Sequence, residues 1–87
     1  MMKEILLSTP ARKEYEKLDE KTKERIKTAL KKVAEGIKTD VKKLKGIKGR
    51  EDLYRLRVGD YRIIYYEDAK CIKITHILHR SKGYDWL

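Results

Sequence analysis

Apolar positions recur along this chain at two distinct periods, and each change of period predicts a new element. Residues Lys3 to Ser8 alternate weakly and predict a strand. Ser8-Thr9-Pro10 then sets a hydroxyl cap ahead of a proline, which suits the first helical turn because its missing N–H would have no intrahelical partner. Ala11, Tyr15 and Leu18 follow at helical spacing, giving a short helix from Pro10 to about Leu18 one apolar stripe. Asp19 caps a second helix, whose stripe is Ile26, Leu30, Val33 and Ile37 with Ala29 and Ala34 beside it. Gly36 is the expected stop; because Ile37 keeps the apolar phase, the boundary falls there or a residue or two later.

From Lys38 to Asp52 the periodicity disappears. Lys42, Lys43, Lys45, Lys48 and Arg50 with Gly46 and Gly49 read as an exposed basic loop, pinned by Val41, Leu44 and Ile47. A two-residue period then governs Leu53 to Tyr66, LYRLRVGDYRIIYY. Arg55, Arg57 and Arg62 alternate with Tyr54, Leu56, Val58, Tyr61 and Ile63 around Gly59-Asp60, the pattern of a β-hairpin with one apolar and one basic face. Glu67 to Lys70 makes a turn. Cys71 to His79 forms the next strand, with Ile72, Ile74 and Leu78 on one face and Lys73, Thr75, Ile77 and His79 on the other. The tail runs from Arg80 to Leu87. The order strand, helix, helix, three strands predicts an α+β fold: two N-terminal helices on one face of a small antiparallel sheet, the other face open for binding. A single domain over residues 1–87 is expected, since a chain of 87 residues has material for one core.

Charge changes the picture. Lys and Arg number 23 against 14 Asp and Glu, a formal charge of +9, which calls for a polyanionic or acidic partner. Nucleic acid, an anionic membrane surface and an acidic protein segment all fit. The apolar run Ile5 to Leu7 is too short for a signal-peptide core or a membrane span, so a cytoplasmic protein is expected. The lone Cys71 excludes an intramolecular disulfide and reads as packing. Cys71, His76 and His79 superficially resemble a zinc spacing, but regular alternation sets His76 opposite the other two, and no fourth ligand is evident. No metal and no other cofactor is expected. Walker-type phosphate loops, nucleophile elbows and framed carboxylate pairs are absent from the sequence.

What remains is Arg55, Arg57, Arg62, His79, Arg80 and Tyr84, with Lys43 and Lys45 of the basic loop as further phosphate contacts. Cleaving RNA requires an activated 2′-hydroxyl, stabilisation of phosphorane charge and a proton for the leaving 5′-oxygen. Arginine forks meet the second need, being permanently charged and bidentate toward phosphate. They serve the other two poorly, so an acid and a base are sought at Tyr84, His79 and the loop lysines. Taken singly, each arginine reads as a surface charge beside a sheet edge; convergence from separate strands points to phosphate.

The stretch YRLRVGDYRIIYY, followed by a strand and HRSKGY, closely resembles the RelE/ParE toxin superfamily, and the two-helix half with VKKLKGIKG extends the resemblance over essentially the whole chain. It implies a toxin of a type II toxin-antitoxin system: a metal-independent endoribonuclease (mRNA interferase) that cuts messenger RNA in the ribosomal A site, contacts 16S rRNA there, and is silenced by a cognate RelB-like antitoxin. By that resemblance Arg62 stabilises the transition-state phosphate. Arg80 is the acid to the 5′-oxygen or a second clamp, and Tyr84 orients the substrate or helps to take the 2′-proton. Arg55 and Arg57 stand where RelE-like enzymes often carry lysines, which keeps the electrostatics and weakens the general base. Either Tyr84 or His79 takes that role, or the nuclease is slow. Two other readings stay open: a ParE-like toxin that inhibits DNA gyrase without nuclease chemistry, and a general RNA-binding module using Tyr66, Tyr84 and Trp86. An acidic, amphipathic antitoxin segment that folds on contact suits the basic surface.

Overall fold

The computed structural model of the chain describes residues 2–44 and 53–82. Strands β1 (Glu4–Leu7), β2 (Val41–Lys43), β3 (Leu53–Val58), β4 (Tyr61–Glu67) and β5 (Cys71–His79) form one sheet in the order β1-β5-β4-β3-β2. Helices α1 (Thr9–Glu16) and α2 (Glu20–Ala34) precede β2, and a short 3₁₀ turn, Arg80–Lys82, follows β5. This is the expected α+β class.

Two features of the sheet depart from expectation. The segment read as an exposed loop contributes β2, which pairs antiparallel with β3 in the register Val41↔Leu56, Lys42↔Arg55 and Lys43↔Tyr54. Val41 packs against the core, and Arg57 N–H reaches past the strand to Asp40 C=O at 3.1 Å. Three residues, two of them lysines, are too few to show a period, which is why the pattern hides this strand. The sheet is also not wholly antiparallel, because β1 runs parallel to β5, with Glu4 opposite Cys71 and Leu7 opposite Ile74. Both helices and three strands separate β1 from β5, ample chain for a parallel pairing.

The helix boundaries follow from local chemistry. The Ser8 hydroxyl accepts from Ala11 N–H at 3.2 Å and donates to Thr75 C=O at 2.8 Å, so one side chain caps α1 and ties it to β5. Asp19 Oδ1 accepts from Thr22 N–H at 3.0 Å, and these hydrogen bonds hold the Asp19 carboxyl below its ordinary range. At the other end of α2, Gly36 sits at φ 93°, its N–H bonded to Val33 C=O and that of Ile37 to Lys32 C=O, both at 2.9 Å. That paired Schellman arrangement ends the helix and throws Ile37, expected in the stripe, out to 48% exposure.

The core lies between helices and sheet: Ala11, Ile26, Leu30, Val33 and Ala34 against Leu56, Ile63, Tyr65, Ile72, Ile74 and Ile77. Ile77, expected on the opposite face from Ile72 and Ile74, is buried with them, and Leu78 is turned to the other side. The reason is a β-bulge. Tyr65 pairs with Ile74 but Ile64 pairs with His76, so Thr75 is an extra residue in β5 and every residue after it changes face. The same slip places Cys71 and His76 on one face and His79 on the other, correcting the alternation assumed for those three. On the face away from the helices, Leu53 and Ile64 are also buried, so that face is open only in part.

At the far end of β4, Glu67 is clamped. Its side chain is 6% exposed, with Oε2 accepting from Lys3 Nζ at 2.8 Å and Oε1 from Lys38 Nζ. Burial pushes this carboxyl up, but the two lysine hydrogen bonds outweigh it and hold Glu67 below its ordinary value.

Candidate functional site

At the opposite end of the sheet the β3–β4 turn consists of Gly59 and Asp60, with Gly59 at φ 57°, a conformation that glycine adopts without a Cβ penalty. One pair beyond it, outside Val58 and Tyr61, Arg57 and Arg62 are direct cross-strand partners. Partners share a face, so two guanidinium groups project side by side, and like charges in that position cost stability. β5 brings a third. Arg80 N–H donates to Asp60 C=O at 2.7 Å, and Arg80 Nε lies 3.8 Å from Asp60 Oδ1. The turn residue thus holds the start of the 3₁₀ segment against the hairpin. Arg57, Arg62 and Arg80 line one cleft of about 200 Å³ with Gly59, Asp60 and Tyr61.

The other expected residues fall elsewhere. Arg55 is one step further along β3, half-buried, opposite Ile64 and Lys42, and outside the cleft. Lys43 is exposed in register with Tyr54, while its neighbour Lys42 is the lysine aligned with Arg55. His79 is opposite Tyr61, their rings edge-to-face at 5.3 Å, with Nδ1 3.0 Å from Ser81 Oγ. It lines a separate groove of about 560 Å³ beside α1, and among the described residues only Tyr61 borders both hollows. Tyr84 and Lys45 lie outside the described residues. Pattern reasoning missed Tyr61 as a wall of the cleft and Asp60 as the anchor of Arg80. It also set His76 on the opposite face from Cys71, whereas the bulge puts both on one face, with His76 opposite Ile64 in the row of Arg55 and its Nδ1 3.1 Å from Thr75 Oγ1.

Three guanidinium groups around a small, open-mouthed cleft can grip a phosphate bidentately and stabilise charge growing on its oxygens. They cannot take a proton at neutral pH, so a base must come from elsewhere. Among the described residues no group of three or more His, Cys, Asp and Glu could hold a metal ion, and no helix is long and apolar enough to cross a membrane.

Comparison with known proteins finds relatives of the chain in sequence and in fold. The family model described as "ParE toxin of type II toxin-antitoxin system, parDE" matches residues 5–84. Toxin RelE3 of Methanocaldococcus jannaschii is 42% identical over 50 residues, which span 58% of this chain and 53% of that protein, about half its length. The RelB-RelE antitoxin-toxin complex from Methanococcus jannaschii has a similar structure: TM-score 0.74 at 28% identity, covering 94% of this chain and 98% of that one. The archaeal RelE-RelB complex from Pyrococcus horikoshii OT3 gives 0.71 at 30% identity, covering 95% and 100%.

Proposed function

Because this chain belongs to the ParE toxin family of type II toxin-antitoxin systems and is RelE-like in sequence and fold, we propose that it is a metal-independent endoribonuclease that cuts messenger RNA in the ribosomal A site. The observation that carries this reading is the convergence of Arg57, Arg62 and Arg80 on one cleft. Arg62, at the centre, binds the equatorial phosphorane oxygens as charge develops. Arg57 holds the same phosphate from the adjoining strand, and Arg80, fixed by Asp60, faces the leaving 5′-oxygen as acid or second clamp. Tyr84 orients the substrate and assists removal of the 2′-proton; Arg55 and Lys42 draw the flanking strand along the sheet. His79, beyond Tyr61, is no part of the phosphate grip.

A RelB-like antitoxin is the partner this reading requires, and the resemblance to complexes of RelE with RelB supports it. Its acidic groups would neutralise the arginine cleft while its apolar side buries against the toxin. The toxin acts in the cytoplasm, on translating ribosomes.

Toe-printing of a translated message tests the proposal. Added protein should produce new A-site cuts, and Arg62→Ala should remove them with the thermal midpoint nearly unchanged. Inhibition of gyrase supercoiling without any cuts would overturn the nuclease in favour of a gyrase poison.

A further inference from the structure

The arginine cleft does not end at the hairpin turn. A second depression of about 430 Å³ runs between α2 and β3, and Arg57 and Gly59 line both hollows. Arg25 of α2 reaches across to the turn. Its guanidinium atoms stand 3.6–3.7 Å from where a Cβ on Gly59 would lie. Arg25 is exposed, and among the described residues neither it nor Arg57 forms an ion pair. Beyond it the depression continues past Lys32, with Glu24 and Asp40 as its carboxylates. Asp60 is already engaged with Arg80. Along the two hollows the cations Arg25, Lys32, Arg57, Arg62 and Arg80 therefore outnumber the carboxylates. A single phosphate needs only the cleft; a bent row of cations leading away from it matches successive phosphates of an extended strand.

We propose that Arg25 is a phosphate subsite for single-stranded RNA flanking the scissile position: the strand leaves the cleft, crosses the turn at Gly59 and meets Arg25 at the mouth of the α2–β3 depression. The proposal rests on the RNA-cleaving reading and adds a contact remote from the reacting atoms, so Arg25 is a positioning residue. It explains why an exposed arginine on a helix is directed at a glycine turn instead of at Glu24 or solvent.

Binding of fluorescein-labelled, 2′-O-methyl RNA to the free protein tests it, with a trinucleotide and an oligonucleotide of roughly ten residues as probes. Arg25→Ala should weaken the long strand roughly threefold to fivefold and reduce its salt slope by about 0.7. The trinucleotide, held by the cleft alone, should bind unchanged, and Arg25→Lys should restore part of the loss. Equal losses on both lengths would make Arg25 a mere prop for the turn and overturn the proposal, as would no loss on the long strand. A loss confined to an acidic probe such as decaglutamate would assign Arg25 to a protein interface instead. A-site cutting, measured in parallel, separates the two readings. A native protein that cuts while Arg25 is irrelevant to both RNAs sinks the subsite alone. Arg25-dependent binding without cutting sinks the nuclease and leaves the subsite standing.

Discussion

Arg57 and Arg62 face one another across two adjacent strands, an arrangement that costs stability and makes sense where an anion neutralises it. Replacing Arg57 by Ala should therefore cut phosphate binding and cleavage about tenfold to a hundredfold while leaving the thermal midpoint equal or slightly raised; paired melting and cutting assays check both halves. A drop in the midpoint would mean that Arg57 is structural. Tyr65 offers the opposite case. Its ring is fully buried and stacked on Tyr54 at 5.4 Å, and its hydroxyl has no hydrogen-bond partner among the described residues. Burial, with the nearby Glu67 charge adding to it, pushes the Tyr65 phenol above its ordinary value, so it is neutral at all working pH. Tyr65→Phe keeps the stack and removes the stranded hydroxyl. It should stabilise the fold by about 1 kcal/mol in urea denaturation.

At the scale of elements, the bulge in β5 decides which face each residue after Thr75 occupies. Deleting Thr75 would remove the extra residue and restore plain alternation with Ile77 still inward opposite Ile63 and Leu78 still outward, so the core is kept while the Thr75 contacts to Ser8 and Ile64 are lost. The expected cost is about 1–2 kcal/mol, visible as a lowered urea midpoint, and a cost of about 3 kcal/mol or more would mean that Ile77 had left the core. Ser8→Ala removes both the α1 cap and the tie to Thr75, with an expected loss of about 1–2 kcal/mol by the same measurement. These elements also mark how far pattern carries. Both helix starts were legible because Ser8, Pro10 and Asp19 act on their own backbone neighbours. The hairpin was legible because a Gly-Asp turn between alternating strands fixes its own register, and with it the facing pair Arg57 and Arg62. The bulge left a trace, since the apolar spacing of two at Ile72 and Ile74 lengthens to three at Ile77, but Ile77 and Leu78 are both apolar and the pattern alone favours neither. β2 and the placement of Arg80 were illegible for another reason: each depends on a partner distant in sequence, Leu56 for one and Asp60 for the other.

For the molecule as a whole, Glu67 gathers the ends of three elements, joining the segment before β1 and the segment after α2 to the end of β4 through Lys3 and Lys38. Since its folded carboxyl is held below the unfolded value, the clamp's contribution is complete above the ordinary glutamate value of 4.5 and is lost as pH falls through the lower, folded one. Melting followed from neutral to acid pH should show a midpoint falling below about pH 4.5, and Glu67→Gln should flatten that limb while costing about 2 kcal/mol at neutrality. Exposed Asp68, held low by hydrogen bonds from Lys70 and Cys71 N–H, shifts in the same direction, so Glu67→Gln should leave a residual slope. The parallel pairing of β1 with β5 has its own consequence in time. β5 is an inner strand of the sheet and follows the other four in the chain, yet β1, which precedes both helices, has no other strand beside it among the described residues. The sheet therefore closes only after Cys71 to His79 has cleared the exit tunnel. Arg80 takes its place at the hairpin in that same step, so the three-arginine cleft cannot assemble before β5 is free.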